Sequence, residues 1–176
     1  MSEKLPLRGQ ALRMLRQSGC LSNVVKHCEA VAELAIEIGG ACRRRGLNVD
    51  LDLIEVGALL HDIGRSKTHS VHHAVVGAAI GKTYGLPDQV LAIIKRHVGG
   101  GITPKEARRL GWPKDVYVPQ TLEEKIVSYA DKLIEGSRRV PIEKTMEEFA
   151  QELPPSAVER VRRLHEEMMT LIDDCG

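Results

Sequence analysis

Apolar residues recur along this chain at three- and four-residue intervals, interrupted by glycine, proline or a capping residue. That is the pattern of successive amphipathic helices. Leu12 to Leu15 belong to a short helix that breaks near Ser18 and Gly19. Ser22 or Asn23 can cap the next, which carries Val24, Val31, Leu34, Ala35 and Ile38 on one face before Gly39 and Gly40 loosen it. Asp50 or Asp52 opens a third helix. Its Leu53, Ile54, Val56, Leu59, Leu60 and Ile63 mark it as core, and Gly64 breaks it.

The second half continues in the same way. His73 starts a helix through Val75, Val76, Ala79 and Ile80 that ends at Gly85-Leu86-Pro87. Pro87, at a first helical position, begins another with Val90, Leu91, Ile93 and Ile94, which closes at His97 before Gly99-Gly100-Gly101. Thr103-Pro-Lys-Glu106 and Thr121-Leu-Glu-Glu124 are capping boxes. The second opens a long helix with Ile126, Val127, Ala130, Leu133 and Ile134 on its apolar face. Between the boxes, residues 111–120 hold two prolines and the single Trp and read as an ordered loop or lid. Pro141 begins a helix to about Leu153, Pro154-Pro155 is a hard break, and Val158, Val161, Leu164, Met168 and Leu171 stripe the last helix. No strand pattern or repeat stands out, so the expected fold class is all-α.

Composition narrows this little. A chain of 176 residues with 43% hydrophobic and 28% charged residues fits one soluble domain. Only 3% are aromatic, so the core is aliphatic, which suits packed helices. A net charge of +1 argues against a general nucleic-acid binder, though not against a local basic pocket. Cys20, Cys28, Cys42 and Cys175 show no metal or disulfide spacing, and Cys28 and Cys42 read as small buried hydrophobes. No apolar run approaches the roughly 20 residues of a membrane span. The expectation is a cytoplasmic protein without membrane association.

Candidate chemistry gathers at the helix ends. The third helix finishes in His61-Asp62, an imidazole and a carboxylate beside apolar neighbours. Burying such a pair costs several kcal/mol unless it is paired or holds a metal. His27, His97 and Asp131 occupy comparable buried-looking positions, and His73 opens a helix. His69, four residues before His73, and His72 are alternatives to it as a ligand. Imidazole with carboxylate suits Fe, Mn, Co or Zn. The set can hold one ion, or two sharing a carboxylate about 3.5–4 Å apart, which would clamp a phosphoryl group.

The order His27, His61-Asp62, Asp131 resembles the signature of the HD superfamily of metal-dependent phosphohydrolases, and His61-Asp62-Ile63-Gly64 matches its HDIG variant. His73-x-x-x-Gly77-Ala78 and His97-x-x-Gly100 resemble the extra histidines of two-metal members, and Ile126 to Ile134 resembles their closing helix. Motif spacing is most similar to the bacterial HD-type hydrolases of diadenosine tetraphosphate. It departs from the cyclic-di-GMP phosphodiesterases, because Val98-Gly99-Gly100-Gly101 follows His97 where those carry a second His and Gly-Tyr-Pro.

The resemblance implies one HD-type domain over residues 1–176, with a core of about 20–140 and a C-terminal helical extension of about 141–176. It implies that His27, His61, Asp62 and Asp131 hold a first divalent ion, and that Asp62 bridges to a second completed by His73 and His97. Asp62 and Arg65 would be catalytic, with Arg65, Lys67 and Lys132 contacting a phosphorylated small molecule, a nucleotide by expectation. The implied reaction is hydrolysis of a phosphate ester or anhydride by metal-activated water. The rival is a noncatalytic HD module that binds a nucleotide or metal as a sensor. The apolar last helix suits either the core or a homodimer interface.

Overall fold

A computed structural model describes residues 4–173 of the chain. Its helices are α1 (Arg8–Ser18), α2 (Ser22–Arg44), α3 (Leu51–Leu60), α4 (His73–Thr83), α5 (Asp88–Arg96), α6 (Pro104–Leu110), α7 (Leu122–Lys132), α8 (Ile142–Glu152) and α9 (Pro155–Ile172). α3 is the central strut, packed against α1, α2, α5 and α7. Asp50 fixes its start by accepting from the Leu53 amide at 3.0 Å. Ile54, Leu59, Leu60 and Ile63 are wholly buried, each burial contributing about 1.5–3 kcal/mol of apolar transfer. The end of this strut is therefore among the least movable points in the molecule.

Several local expectations need correction. Neither Ser22 nor Asn23 caps α2; Leu21 stands at the N-cap, without a side-chain hydrogen bond. Gly39 and Gly40 do not loosen that helix, which runs on to Arg44. Gly39 serves packing instead, since a Cβ there would lie 2.7 Å from Leu51 Cδ2 and 3.0 Å from Ile54 Cδ1. Pro87 is the N-cap of α5 rather than its first residue. Both capping boxes form, at Thr103/Glu106 and Thr121/Glu124.

α7 stops at Lys132, short of the expected Ile134. Ile134–Glu135 (β1) and Arg138–Arg139 (β2) pair antiparallel, Ile134 opposite Arg139 and Glu135 opposite Arg138. Gly136, at φ +60°, takes the first turn position, where a two-residue hairpin loop favours glycine. The hairpin is too short to leave an alternating pattern in the sequence, and the fold remains all-α.

Residues 111–120 form a packed loop. Trp112 and Tyr117 are buried in a small cluster with Ala74 and Ala107, and Ile102 bridges to Tyr117. His72 accepts from Trp112 Nε1 at 2.8 Å, which occupies it structurally. α8 and α9 fold back on each other, and α9 lies against α7 and α2. Cys28 and Cys42 are buried free thiols and Cys20 is partly buried, while Cys175 lies outside the described residues. Among the described residues, no helix is long and apolar enough to cross a membrane.

Candidate metal centre

The six expected ligands come from five helices and converge at the end of α3. His27 projects from α2, His61 is the C-cap of α3, and Asp62 follows it at the start of a 3₁₀ turn, Ile63–Ser66. His73 is the first residue of α4, His97 the C-cap of α5, and Asp131 sits in the last turn of α7. They form two groups that share Asp62: His27, His61, Asp62 and Asp131 in one, and Asp62, His73 and His97 in the other.

Asp62 faces both groups with different oxygens. Its Oδ2 lies 3.5 Å from Nε2 of both His27 and His61. Its Oδ1 lies 3.2 Å from His73 Nε2 and 3.3 Å from His97 Nε2. Asp131 Oδ1 closes the first group at 2.9 Å from His27 Nε2 and 3.2 Å from His61 Nε2.

Helix ends explain how the rings are aimed. The last carbonyls of a helix lack amide partners. His61 Nδ1 lies 2.6 Å from the Ala58 carbonyl, and His97 Nδ1 2.6 Å from the Ile94 carbonyl, each three residues back. His73 Nδ1 repeats the i−3 geometry on the Ser70 carbonyl at 2.7 Å, and His27 Nδ1 meets the Gly136 carbonyl at 2.7 Å. A carbonyl can only accept, so all four Nδ1 atoms carry protons. In the neutral rings every Nε2 then presents a lone pair inward. This is how metal-binding imidazoles are commonly oriented.

Gly64 permits the convergence by closeness, not by ending a helix. A Cβ on it would fall 1.9 Å from the His73 carbonyl oxygen and 2.8 Å from the Gly77 amide nitrogen. Only glycine lets the 3₁₀ turn lie directly on α4 and bring His73 to Asp62. Gly77 of the expected His73-x-x-x-Gly77 pattern is the other face of the same contact, its Cβ position 3.2 Å from Gly64 N.

The donor set fits a divalent transition metal. Asp62 Oδ1 is buried with no hydrogen-bond partner among the described residues, and an orphaned buried carboxylate oxygen is costly. His73 and His97 bring two Nε2 atoms to 3.0 Å of each other beside it. Electrostatics point the same way. Burial opposes ionisation of Asp62, yet the charge of His61 leads the opposing pull, and the carboxyl is held well below its usual range. Burial also opposes ionisation of Asp131, but Lys132, His61 and His27 hold it well below as well. Burial works against charging His61 too, while Asp62 and Asp131 raise it well above an ordinary imidazole. His97, wholly enclosed, is pushed down to about 4, chiefly by burial. Two fixed carboxylates beside inward lone pairs make a cation-seeking site.

A cavity of about 760 Å³ opens beside this centre, lined by His73, His97, Asp131, Arg65, the Gly99–Gly101 backbone and the α8–α9 hairpin. That volume lies in the usual range of ligand pockets. Arg65 reaches it with Nε 3.7 Å from Asp62 Oδ1 and Nη1 bonded to the His69 carbonyl at 2.5 Å. Lys67 is exposed and is not among the lining residues. Lys132 lines the cavity but is buried. Its Nζ donates to the His97 carbonyl at 2.8 Å, Asp131 Oδ2 at 3.1 Å and the Ser128 carbonyl at 3.2 Å. An ammonium has three donors, so Lys132 is fully engaged in clamping Asp131 to the end of α5. Sequence reasoning missed this clamp, the four carbonyls that orient the rings, and Arg109, which lines the cavity without an ion-pair partner among the described residues. The histidines' placement at helix ends was the available signal for the carbonyls.

The HD domain family model matches residues 24–136, which contain all six residues. The chain belongs to the HD domain family. The domain is 44% identical over 165 residues to an uncharacterised protein of Methanocaldococcus jannaschii, covering 93% of this chain and 97% of the relative. It is 38% identical over 168 residues to a tRNA (cytidine(56)-2'-O)-methyltransferase of Thermoplasma volcanium, 96% of this chain but only 48% of that protein. In fold it is similar to the HD domain of the L. monocytogenes phosphodiesterase PgpH, solved in complex with cyclic-di-AMP, with a TM-score of 0.55 at 17% identity over 92% of this chain and 96% of that one.

Proposed function

We propose that this HD domain is a metal-dependent phosphohydrolase that cleaves a phosphate ester or anhydride of a nucleotide, and that it uses two divalent ions. The observation that carries the proposal is the position of Asp62, which turns one oxygen to His27 and His61 and the other, orphaned, to His73 and His97. His27, His61, Asp62 and Asp131 would hold one ion, and Asp62, His73 and His97 the other. When bound, such ions polarise a phosphoryl group and make water a nucleophile at neutral pH.

The chain's own residues do the rest. The four Nδ1–carbonyl bonds hold the rings in one tautomer and orientation, so no ring must reorganise on binding. Lys132 leaves Asp131 Oδ1 facing the centre by occupying Oδ2. Arg65, partly exposed at the cavity, offers a fixed positive charge to phosphoryl oxygens as charge develops on them. The Gly99–Gly101 loop lines the cavity, held there by Gly100 packed against α9 and Gly101 against Val118.

Membership of the HD family and likeness in fold to a phosphodiesterase domain support the reaction class. Motif spacing favours dinucleoside polyphosphates within it. The deciding experiment measures metal content of protein purified without chelator, together with release of phosphate or nucleotide from diadenosine tetraphosphate, cyclic dinucleotides and nucleoside phosphates. Turnover that disappears in Asp62→Ala together with bound metal supports the proposal. Metal and tight nucleotide binding without turnover of any of them would make the domain a sensor instead.

A further inference from the structure

The cavity has two kinds of wall. One belongs to the HD segment and carries the metal ligands, Arg65 and the glycine loop. The other is the α8–α9 hairpin, which lies outside the family-matched residues 24–136. We propose that this hairpin is the specificity wall, taking the terminal nucleoside of a substrate whose phosphate lies at the metal ligands. The proposal rests on the phosphohydrolase reading for the phosphate end only.

The hairpin is anchored at both ends to the catalytic side. Thr145 Oγ1 donates to the Lys132 carbonyl at 2.6 Å, fixing the start of α8 beside Asp131. Arg160 of α9 donates from Nη2 to both carboxylate oxygens of Glu106, at 2.6 and 2.7 Å, and from Nε to the Gly101 carbonyl at 3.2 Å. Gly100 lies so close to α9 that a Cβ would meet the Arg160 carbonyl carbon at 2.6 Å. The wall is therefore held in place across the cavity. From Thr145, α8 rises about 1.5 Å per residue, so Glu148 and Phe149 sit about 5 Å further along, and Glu152 about 10 Å. That span suits one nucleoside rather than a chain of them.

Its chemistry changes along the same line. Near the metal ligands the cavity carries Arg65. Along the hairpin it carries Glu148 beside Phe149, the only Phe in the chain, then Glu152 and Leu153, while Arg109 of α6 also lines the cavity. Those two carboxylates are exposed and have no ion-pair partner among the described residues. An aromatic ring offers a stacking surface to a base. Unpaired carboxylates accept from ribose hydroxyls or exocyclic amines, and they repel a second phosphate. The complementary ligand has phosphate at one end and an uncharged nucleoside at the other. An internal phosphodiester of a polynucleotide, which continues into further phosphates, does not match.

Binding tests this without needing turnover. Adenosine 5′-monophosphate, adenosine 3′,5′-bisphosphate and inorganic phosphate are titrated calorimetrically into the full chain loaded with Mn²⁺. The monophosphate should bind more tightly than phosphate, and Phe149→Ala should lower that ratio about tenfold through lost stacking. Glu148→Gln combined with Glu152→Gln should shift preference toward the bisphosphate by about fivefold. The conservative Phe149→Tyr, which keeps the ring, should restore the ratio, whereas a merely structural role of Phe149 would weaken monophosphate and phosphate alike in Phe149→Ala and leave their ratio unchanged. An unchanged ratio in Phe149→Ala, or wild-type protein that prefers the bisphosphate, overturns the proposal. A ratio that falls as expected in protein without hydrolase activity leaves the wall standing and removes the hydrolase reading.

Discussion

Around Asp62 Oδ2, His27 and His61 each find Asp131 Oδ1 within hydrogen-bonding distance, at 2.9 and 3.2 Å. Around Asp62 Oδ1, His73 and His97 find each other at 3.0 Å and an oxygen that accepts no hydrogen bond. Two carboxylates serve two imidazoles in the first half, whereas one carboxylate oxygen serves two in the second. The first half can satisfy itself as an ion-pair network by taking up a proton, as the raised His27 and His61 indicate. The second half is drier, His97 resists protonation, and its lone pairs and orphaned oxygen converge on the same point. Two similar-looking groups thus differ in how far their own residues satisfy one another.

The comparison breaks most completely at the residue both halves share. Asp62→Ala should remove metal from both and lower turnover about a thousandfold. Metal analysis and a phosphate-release assay on the same sample check it, and retained stoichiometry would show the halves to be independent of Asp62. Gly64→Ala comes next, because its Cβ collides with the His73 carbonyl. It should destabilise the domain by roughly 3 kcal/mol and displace His73, so that the second half empties while the first retains its ion. Denaturant unfolding and metal counting separate these two effects.

Chelation should sharpen the contrast more gently. Removing metal should raise hydrogen exchange at the start of α4 and the end of α5, with smaller changes in α2 and α3, since the second half keeps no internal substitute. The smallest effect is a difference of sign with pH in chelated protein. His27 is raised in the fold: burial opposes this, but Asp131 prevails. Its contribution to stability is present below the unfolded value of 6.5 and is lost as pH rises through the folded one. The deficit of His27→Gln should therefore grow on acidification. His97 is lowered to about 4, so the unfolded chain takes up a proton between 6.5 and 4 that the native ring refuses. The deficit of His97→Gln should shrink over that window. Parallel slopes in the two variants would show that the halves respond alike.

Much of the centre was legible in the sequence because ionisable side chains at the ends of core helices violate a local rule. An imidazole and a carboxylate at the end of a core helix need a partner, and His27, His73, His97 and Asp131 stand at helix positions able to supply it. What the sequence did not reveal depended on contacts between distant segments. Gly64 reads as a helix breaker until α4 is seen lying on it. Lys132 reads as a free cation until its three acceptors, two of them carbonyls, are counted. The stripes of α8 and α9 announced amphipathic helices, but an apolar face does not say whether it covers a core or lines a cavity, and Phe149 does part of each. The Ile134–Arg139 hairpin is too short for periodicity, yet its Gly136 carbonyl orients His27.

The bridging role of Asp62 is tested most directly by anomalous diffraction from crystals of the full chain grown with Mn²⁺. Two anomalous peaks are expected, one against Asp62 Oδ2 with His27, His61 and Asp131, the other against Asp62 Oδ1 with His73 and His97. A single peak enclosed by His27, His61, Asp62 and Asp131, with His73 and His97 left at hydrogen-bonding distance from each other, would contradict the account.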